Sequence, residues 1–244
     1  MKTTLSCIRK ADKDFRLIED GDKIAIGLSG GKDSILLIHA LSKYRLFSHK
    51  NFSLHAFTIR SGYGSFDCSR LAALCAAQGV PYTVHDTQMY DIIFNIRKEK
   101  SPCSLCAKMR RGILCDLAKE QGCNKIALGH HRDDAVETFL MSLIYEGRLH
   151  TFAPKSYMSR SDITVIRPLI YLPESHILHL KKALDMPVEK NTCPVNGQTG
   201  RQRTKELIAE LSRSYPKLQE RVLHALQTYK KGALWEREDD PSEN

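Results

Sequence analysis

The sequence predicts an α/β fold in which a parallel sheet carries helices on both faces and is extended by helices at either end. Three observations carry that prediction. Short apolar runs rich in Ile, Val and Ala alternate with longer stretches whose apolar residues recur at helical spacing. Turn formers, glycine above all, punctuate each change. A chain of 244 residues suits one well-buried domain with additions and is short for two.

Residues 5–18 read as a lead-in helix, Lys23-Ile24-Ala25-Ile26-Gly27-Leu28 as a buried strand, and 34–44 as the helix that follows it. The order then repeats. Strands are expected at 54–59, 81–85 and 125–128, each followed by a helix, at 66–78, 103–121 and 134–145. Such alternation makes parallel strands joined by crossovers. Residues 156–166 read as a loop ending in a short strand at 164–166, and 173–185 as another helix. Past Pro187, turn formers break the pattern before two helical stretches at about 201–212 and 216–230. The expected organisation is a lead-in helix at 1–20, an α/β domain at 21–190, a cysteine-bearing loop with C-terminal helices at 191–235, and a disordered acidic tail at 236–244.

Composition narrows the function. No run approaches the roughly 18 apolar residues of a membrane span, and the first residues lack an apolar signal core, so a cytoplasmic protein without a membrane partner is expected. Thirty-seven Lys and Arg against 28 Asp and Glu leave a net charge of +9, which suits a polyanion such as RNA. Eight cysteines in a reducing compartment point to metal ligation or redox chemistry where they cluster.

Ser29-Gly30-Gly31-Lys32-Asp33-Ser34 follows the first strand and opens the next helix. Two glycines let backbone N–H groups approach an anion, and the helix points its positive end at the same place. The run is neither a Walker A loop nor a dinucleotide fingerprint, because Asp33 follows Lys32 and the glycines are adjacent. A second constellation, Leu128-Gly129-His130-His131-Arg132-Asp133-Asp134, ends a predicted strand at the same sheet edge, where α/β proteins bind ligands. A carboxylate there could hold Mg²⁺ or move a proton.

Pro102-Cys103-Ser104-Leu105-Cys106 places two thiols one turn apart at a helix start, where the dipole favours thiolates. Cys193 precedes Pro194 in a turn-rich loop, a recurrent setting for iron–sulfur ligands. Three thiolates would bind a 4Fe-4S cluster and leave one iron open for an exogenous sulfide. A redox dithiol and a structural zinc completed by a histidine remain open readings of the pair.

The phosphate loop resembles the signature of the PP-loop ATP pyrophosphatases. Taken with the runs 102–112, 127–134 and Val165-Ile166-Arg167-Pro168-Leu169, the chain is similar to the tRNA 2-thiocytidine synthetase family from about residue 5 to 230. That resemblance implies ATP-dependent adenylation of a cytidine at position 32 of a tRNA anticodon loop, followed by replacement of its C2 oxygen with sulfur. It places ATP on Ser29, Gly30, Gly31, Lys32, Asp33 and Ser34, with Thr58 and Ile59 at the adenine and Gly129 and His130 beside the nucleotide. Asp33, Asp133 and Asp134 would serve Mg²⁺ or the proton, Arg110 the developing charge, and Cys103, Cys106 and Cys193 the cluster. The partners implied are tRNA and a sulfur donor, desulfurase-derived or inorganic sulfide, with a homodimer as a further candidate. The alternatives are an amide-forming PP-loop ligase of the lysidine-synthesising type and a non-catalytic, zinc-containing RNA-binding protein. One departure concerns Arg60, which follows Ile59 where the family pattern leads us to expect a carboxylate or amide.

Overall fold

The computed structural model describes residues 1–64, 66–189 and 200–229. Its strands are β1 (Lys23–Gly27), β2 (Ser53–Arg60), β3 (Tyr82–Asp86), β4 (Lys125–Ala127), β5 (Lys155–Met158) and β6 (Ile163–Ile166). They form one sheet in the order β3-β2-β1-β4-β6-β5. Every neighbouring pair is parallel except β5 with β6. The helices are α1 (Lys2–Phe15), α2 (Lys32–Phe47), α3 (Ser69–Ala77), α4 (Pro102–Glu120), α5 (Arg132–Glu146), α6 (Glu174–Ala183), α7 (Gly200–Ser214) and α8 (Leu218–Thr228), with a π-helix at Asp91–Ile96.

Side-chain alternation along the strands divides the interior into two layers. Ile24 and Ile26 of β1 face a core built with Ile8, Ile35, Ile38, Leu41 and Ile177 from α1, α2 and α6. Ala25, between them, faces the other way, joining Phe57, Ile126 and Val165 against Leu114, Cys115 and Ala118 of α4. Helices therefore cover both faces, as the apolar runs predict. Two ion pairs secure the amino end of the sheet: Lys125 lies 2.7 Å from Asp22 and 2.9 Å from Glu19.

Two elements depart from expectation. Residues 156–166, read as a loop with one terminal strand, belong to the β5–β6 hairpin, with Asp162 at φ +48° in its turn. Lys155, Ser156 and Tyr157 carry no apolar alternation because β5 is a half-exposed edge strand, held by backbone pairing to β6. The π-helix lies between β3 and α4, where no element was expected. The Cys193 loop and the acidic tail fall outside the described residues.

From β1 the chain winds outward through β2 to β3, then returns across β1 to β4 on its other side. That reversal opens a crevice at the carboxyl ends of β1 and β4, the position where open α/β sheets bind ligands.

Candidate active site at the carboxyl edge of the sheet

Leaving β1, the chain is held to β2 by a bond from Leu28 N–H to the Phe57 carbonyl (2.8 Å), then turns sharply at Gly30. Gly30 has φ +78°, and a Cβ there would lie 2.8 Å from the Phe66 ring, so both conformation and space call for glycine. The turn closes on itself: Ser34 Oγ donates to the Gly31 carbonyl (2.9 Å) and accepts from Ser29 N–H (3.2 Å). Gly31 is the N-cap of α2 and has no side chain to cap with, which leaves first-turn N–H groups available to an anion.

Lys32 extends from the first turn to Asp33 (2.9 Å) and Glu174 (3.1 Å). Burial works against its charge, but the two carboxylates outweigh burial and raise its pKa. Glu174 in turn accepts from Lys205 of α7 at 2.6 Å. Burial opposes the Glu174 charge, and Lys205 and Lys32 overcome it, so its pKa is lowered.

The β4–α5 loop packs directly on the phosphate loop. A Cβ on Gly129 would lie 2.9 Å from the Asp33 carbonyl carbon and 3.1 Å from the Ser34 nitrogen. His131, 2 % exposed, places Nε2 3.7 Å from Asp33 Oδ1 and 3.4 Å from Asp134 Oδ2. Asp134 also accepts from His131 N–H (3.0 Å) as the α5 capping carboxylate, while Asp133 turns to α6 and accepts from Glu174 N–H (2.9 Å). The geometry thus separates two acids that the sequence leaves equivalent. His130 is half-buried and packs against Phe152, with ring centroids 5.0 Å apart. Burial, joined by Arg167, Arg201 and His131, outweighs Asp134 and takes its pKa down to about 4, so it is neutral at pH 7.

A cavity of about 660 Å³ opens beside the loop at Ser29 and Gly31 and is lined by Thr58 and Ile59 at the end of β2. That volume lies within the range of small-molecule sites. The Thr58 hydroxyl is engaged in the sheet, donating to the Leu28 carbonyl (2.6 Å) and accepting from Tyr82 (2.8 Å). Arg60 also lines the cavity and is paired to Asp86 of β3 through Nε and Nη2. The neighbouring strand thus brings a carboxylate beside the position where the sequence has a cation.

Cys103, Cys106 and Arg110 line the same cavity. They stand at i, i+3 and i+7 on α4, hence on one face. Pro102 at the start of α4 sets that register, its fixed φ suiting the first turn. Among the described residues no group of three or more His, Cys, Asp or Glu is arranged to hold a metal ion. Cys193 lies outside the described residues.

The structure brings the phosphate loop, the end of β2 and the cysteine helix to one cavity, with Asp33, His131 and Asp134 clustered behind the loop. Sequence reasoning missed Glu174, the Arg60–Asp86 pair and an aromatic wall formed by Tyr63, Tyr90 and Phe94. Arg201 and Lys205 of α7 are paired internally, Arg201 with Glu137 (3.1 Å) and Asp134 (3.3 Å) and Lys205 with Glu174. Only the first-turn position of Glu174, just after Pro173, could have marked that residue as a helix-end anion.

Comparison with known proteins agrees with this geometry. Residues 4–193 match the PP-loop domain family. The chain is 42 % identical over 234 residues to a tRNA-cytidine(32) 2-sulfurtransferase of Geobacter metallireducens, covering 95 % of this chain and 91 % of that one. It is 36 % identical to the protein of that name from Coxiella burnetii, over 97 % and 93 % of the two chains. The fold is shared with the U34-tRNA thiolase NcsA of Methanococcus maripaludis, solved with its [4Fe-4S] cluster, at a TM-score of 0.76 and 24 % identity, covering 94 % of this chain and 79 % of that one. Loop, cavity and cysteine helix occur in a chain that aligns with such relatives almost end to end, and the chain belongs to the tRNA 2-thiocytidine synthetase family of PP-loop enzymes.

Proposed function

We propose that this tRNA-thiolating enzyme adenylates the C2 carbonyl oxygen of a cytidine at position 32 of the anticodon loop and then replaces that oxygen with sulfur. One observation carries the reading: the phosphate loop and the Cys-x-x-Cys turn open onto the same cavity. An amide-like oxygen is a poor leaving group. Attack of that oxygen on the α-phosphorus of ATP expels pyrophosphate and forms an AMP ester at C2. Sulfur then adds at C2, AMP departs, and the C=S bond remains. ATP and sulfur must therefore meet at one base, which disfavours an amine-transferring ligase, where no thiolate is needed.

Ser29, Gly30, Gly31, Lys32 and Ser34 would hold the departing pyrophosphate, and Thr58 and Ile59 the adenine. Asp33 is the fitting Mg²⁺ ligand, since its Oδ1 is buried without a hydrogen-bond partner beside the loop. Asp134 would orient His131 behind it, with Asp133 as the tie to α6, and Gly129 and His130 would shape the loop's support. Arg110 would neutralise charge developing at the base. Cys103 and Cys106 fit two sites of a 4Fe-4S cluster, with Cys193 as the third. Glu189, four residues before Cys193, donates its N–H to the Gly30 carbonyl (3.0 Å) and lines the cavity. When bound, such a cluster supplies an open iron site for sulfide.

The test is anaerobic purification with iron and sulfide analysis, followed by incubation with tRNA, Mg²⁺-ATP and sulfide. Equimolar pyrophosphate, AMP and 2-thiocytidine at position 32 are expected. Cys193→Ala should lose iron and thiolation together; a variant that keeps full thiolation would remove Cys193 from the ligand set.

A further inference from the structure

One wall of the cavity is a row of three aromatic rings in contact. Ring centroids of Tyr63 and Tyr90 lie 4.3 Å apart and those of Tyr90 and Phe94 4.7 Å. All three line the cavity, and none belongs to either core cluster. Aromatic area of this size is normally spent on core packing. Here the backbone holds it at the surface of a cleft.

The holding is specific. Gly62 sits at φ +83°, and a Cβ there would be 2.6 Å from the Thr87 carbonyl oxygen, so the loop bearing Tyr63 lies flat on the segment before Tyr90. Tyr90 N–H donates to the Ser61 carbonyl (2.8 Å), and Thr87 donates to the Arg60 carbonyl from both its N–H (3.0 Å) and its Oγ1 (2.7 Å). Tyr90 then opens the π-helix Asp91–Ile96, and its wider turn brings Phe94 onto Tyr90. Such wide turns recur at functional sites.

We propose that Tyr63, Tyr90 and Phe94 form the platform on which the target base of the RNA stacks during thiolation. The proposal rests on the thiolation reading above. A base cannot be modified at C2 while it is buried in its own stack, and an enzyme that draws it out must replace the lost stacking. Aromatic rings do so for any base, each contact strengthening binding by roughly tenfold or more. The function proposed above gives adenine to the end of β2, which leaves this wall for the second base, in a cavity shared with Cys103, Cys106 and Arg110. Arg110 and the net charge of +9 suit a polyanion rather than a neutral ligand. Because stacking is tolerant of base identity, the platform sets binding and presentation, and leaves base choice to hydrogen bonds.

The experiment is photocrosslinking of an anticodon stem-loop carrying 5-iodocytidine at the target position, with kinetics of Tyr90→Ala and Tyr90→Phe. The crosslink should map by mass spectrometry to Tyr63, Tyr90 or Phe94. Tyr90→Ala should raise KM for tRNA at least tenfold and leave KM for ATP within twofold, and Tyr90→Phe should restore it. A crosslink elsewhere with thiolation intact overturns the platform alone, as does a rise in KM for ATP, which would give the rings to adenine. A wild-type protein that crosslinks here but releases no pyrophosphate and makes no thiolated tRNA overturns the chemistry while keeping the platform as an RNA site.

Discussion

At Gly129 a single methyl group decides whether two loops can touch. The neighbour its Cβ would strike is the backbone of Asp33 and Ser34, which cannot swing aside as a side chain could. Overpacking of this kind costs about 1–3 kcal/mol. Gly129→Ala should therefore fold with a lowered melting temperature and bind ATP at least tenfold more weakly, as read by isothermal calorimetry; wild-type affinity would mean the loop is indifferent to this contact. His130 gives a second test. Its pKa is about 4 in the fold against 6.5 in the open chain. The folded state thus resists a proton that the unfolded chain accepts, and the stability this provides is complete above pH 6.5 and lost as pH falls toward 4. The difference is worth about 3 kcal/mol. Urea midpoints should fall between pH 7 and 5 in the wild type and fall less in His130→Asn. The sequence shows both residues plainly, Gly129 after a strand and His130 beside it. It does not show that Glu174 meets Lys32, since nothing local links them.

On α4, spacing alone sorts the cysteines. Cys103 and Cys106 share a face with Arg110 and open to the cavity, whereas Cys115 is 1 % exposed and packs under the sheet, where burial raises its thiol pKa. Buried, protonated thiols are poor metal ligands. Cys106→Ala should then lose iron and thiolation together, while Cys115→Ala keeps iron and costs stability through a small cavity. Iron-to-protein ratios of the two purified variants check this, and equal iron in both would break the assignment. The regular strands and helices were legible because their apolar residues keep the period of the element. The π-helix was not, since its wide turn has no simple apolar repeat, and β5 was not, since an edge strand can be held by backbone pairing with few apolar residues.

Across the whole molecule, charged pairs connect the phosphate loop to the C-terminal helices. Lys32 joins Glu174 at the start of α6, Glu174 joins Lys205 of α7, and Arg201 of α7 joins Asp134 and Glu137 of α5. Glu137 is 5 % exposed, and burial followed by Asp134 raises its pKa against Arg201, so this anchor is needed to keep a buried carboxylate charged. On the proposed ATP site, a triphosphate in the loop would give Lys32 a stronger anion and take from Glu174 one of its two cations. Glu174 would then rest on Lys205 alone, and α7 would be held more tightly against α6. ATP at about a hundredfold its Kd adds roughly 2.7 kcal/mol of stability, or about 5–10 °C for a chain of this length. Part of that gain should appear far from the loop. Hydrogen exchange in α7 should slow on adding Mg²⁺-ATP in the wild type. In Glu174→Gln the nucleotide should still bind and still raise the melting temperature, but α7 should exchange at the same rate with and without it. Equal slowing of α7 in both proteins would mean that the nucleotide reaches the C-terminal helices by a route other than Glu174.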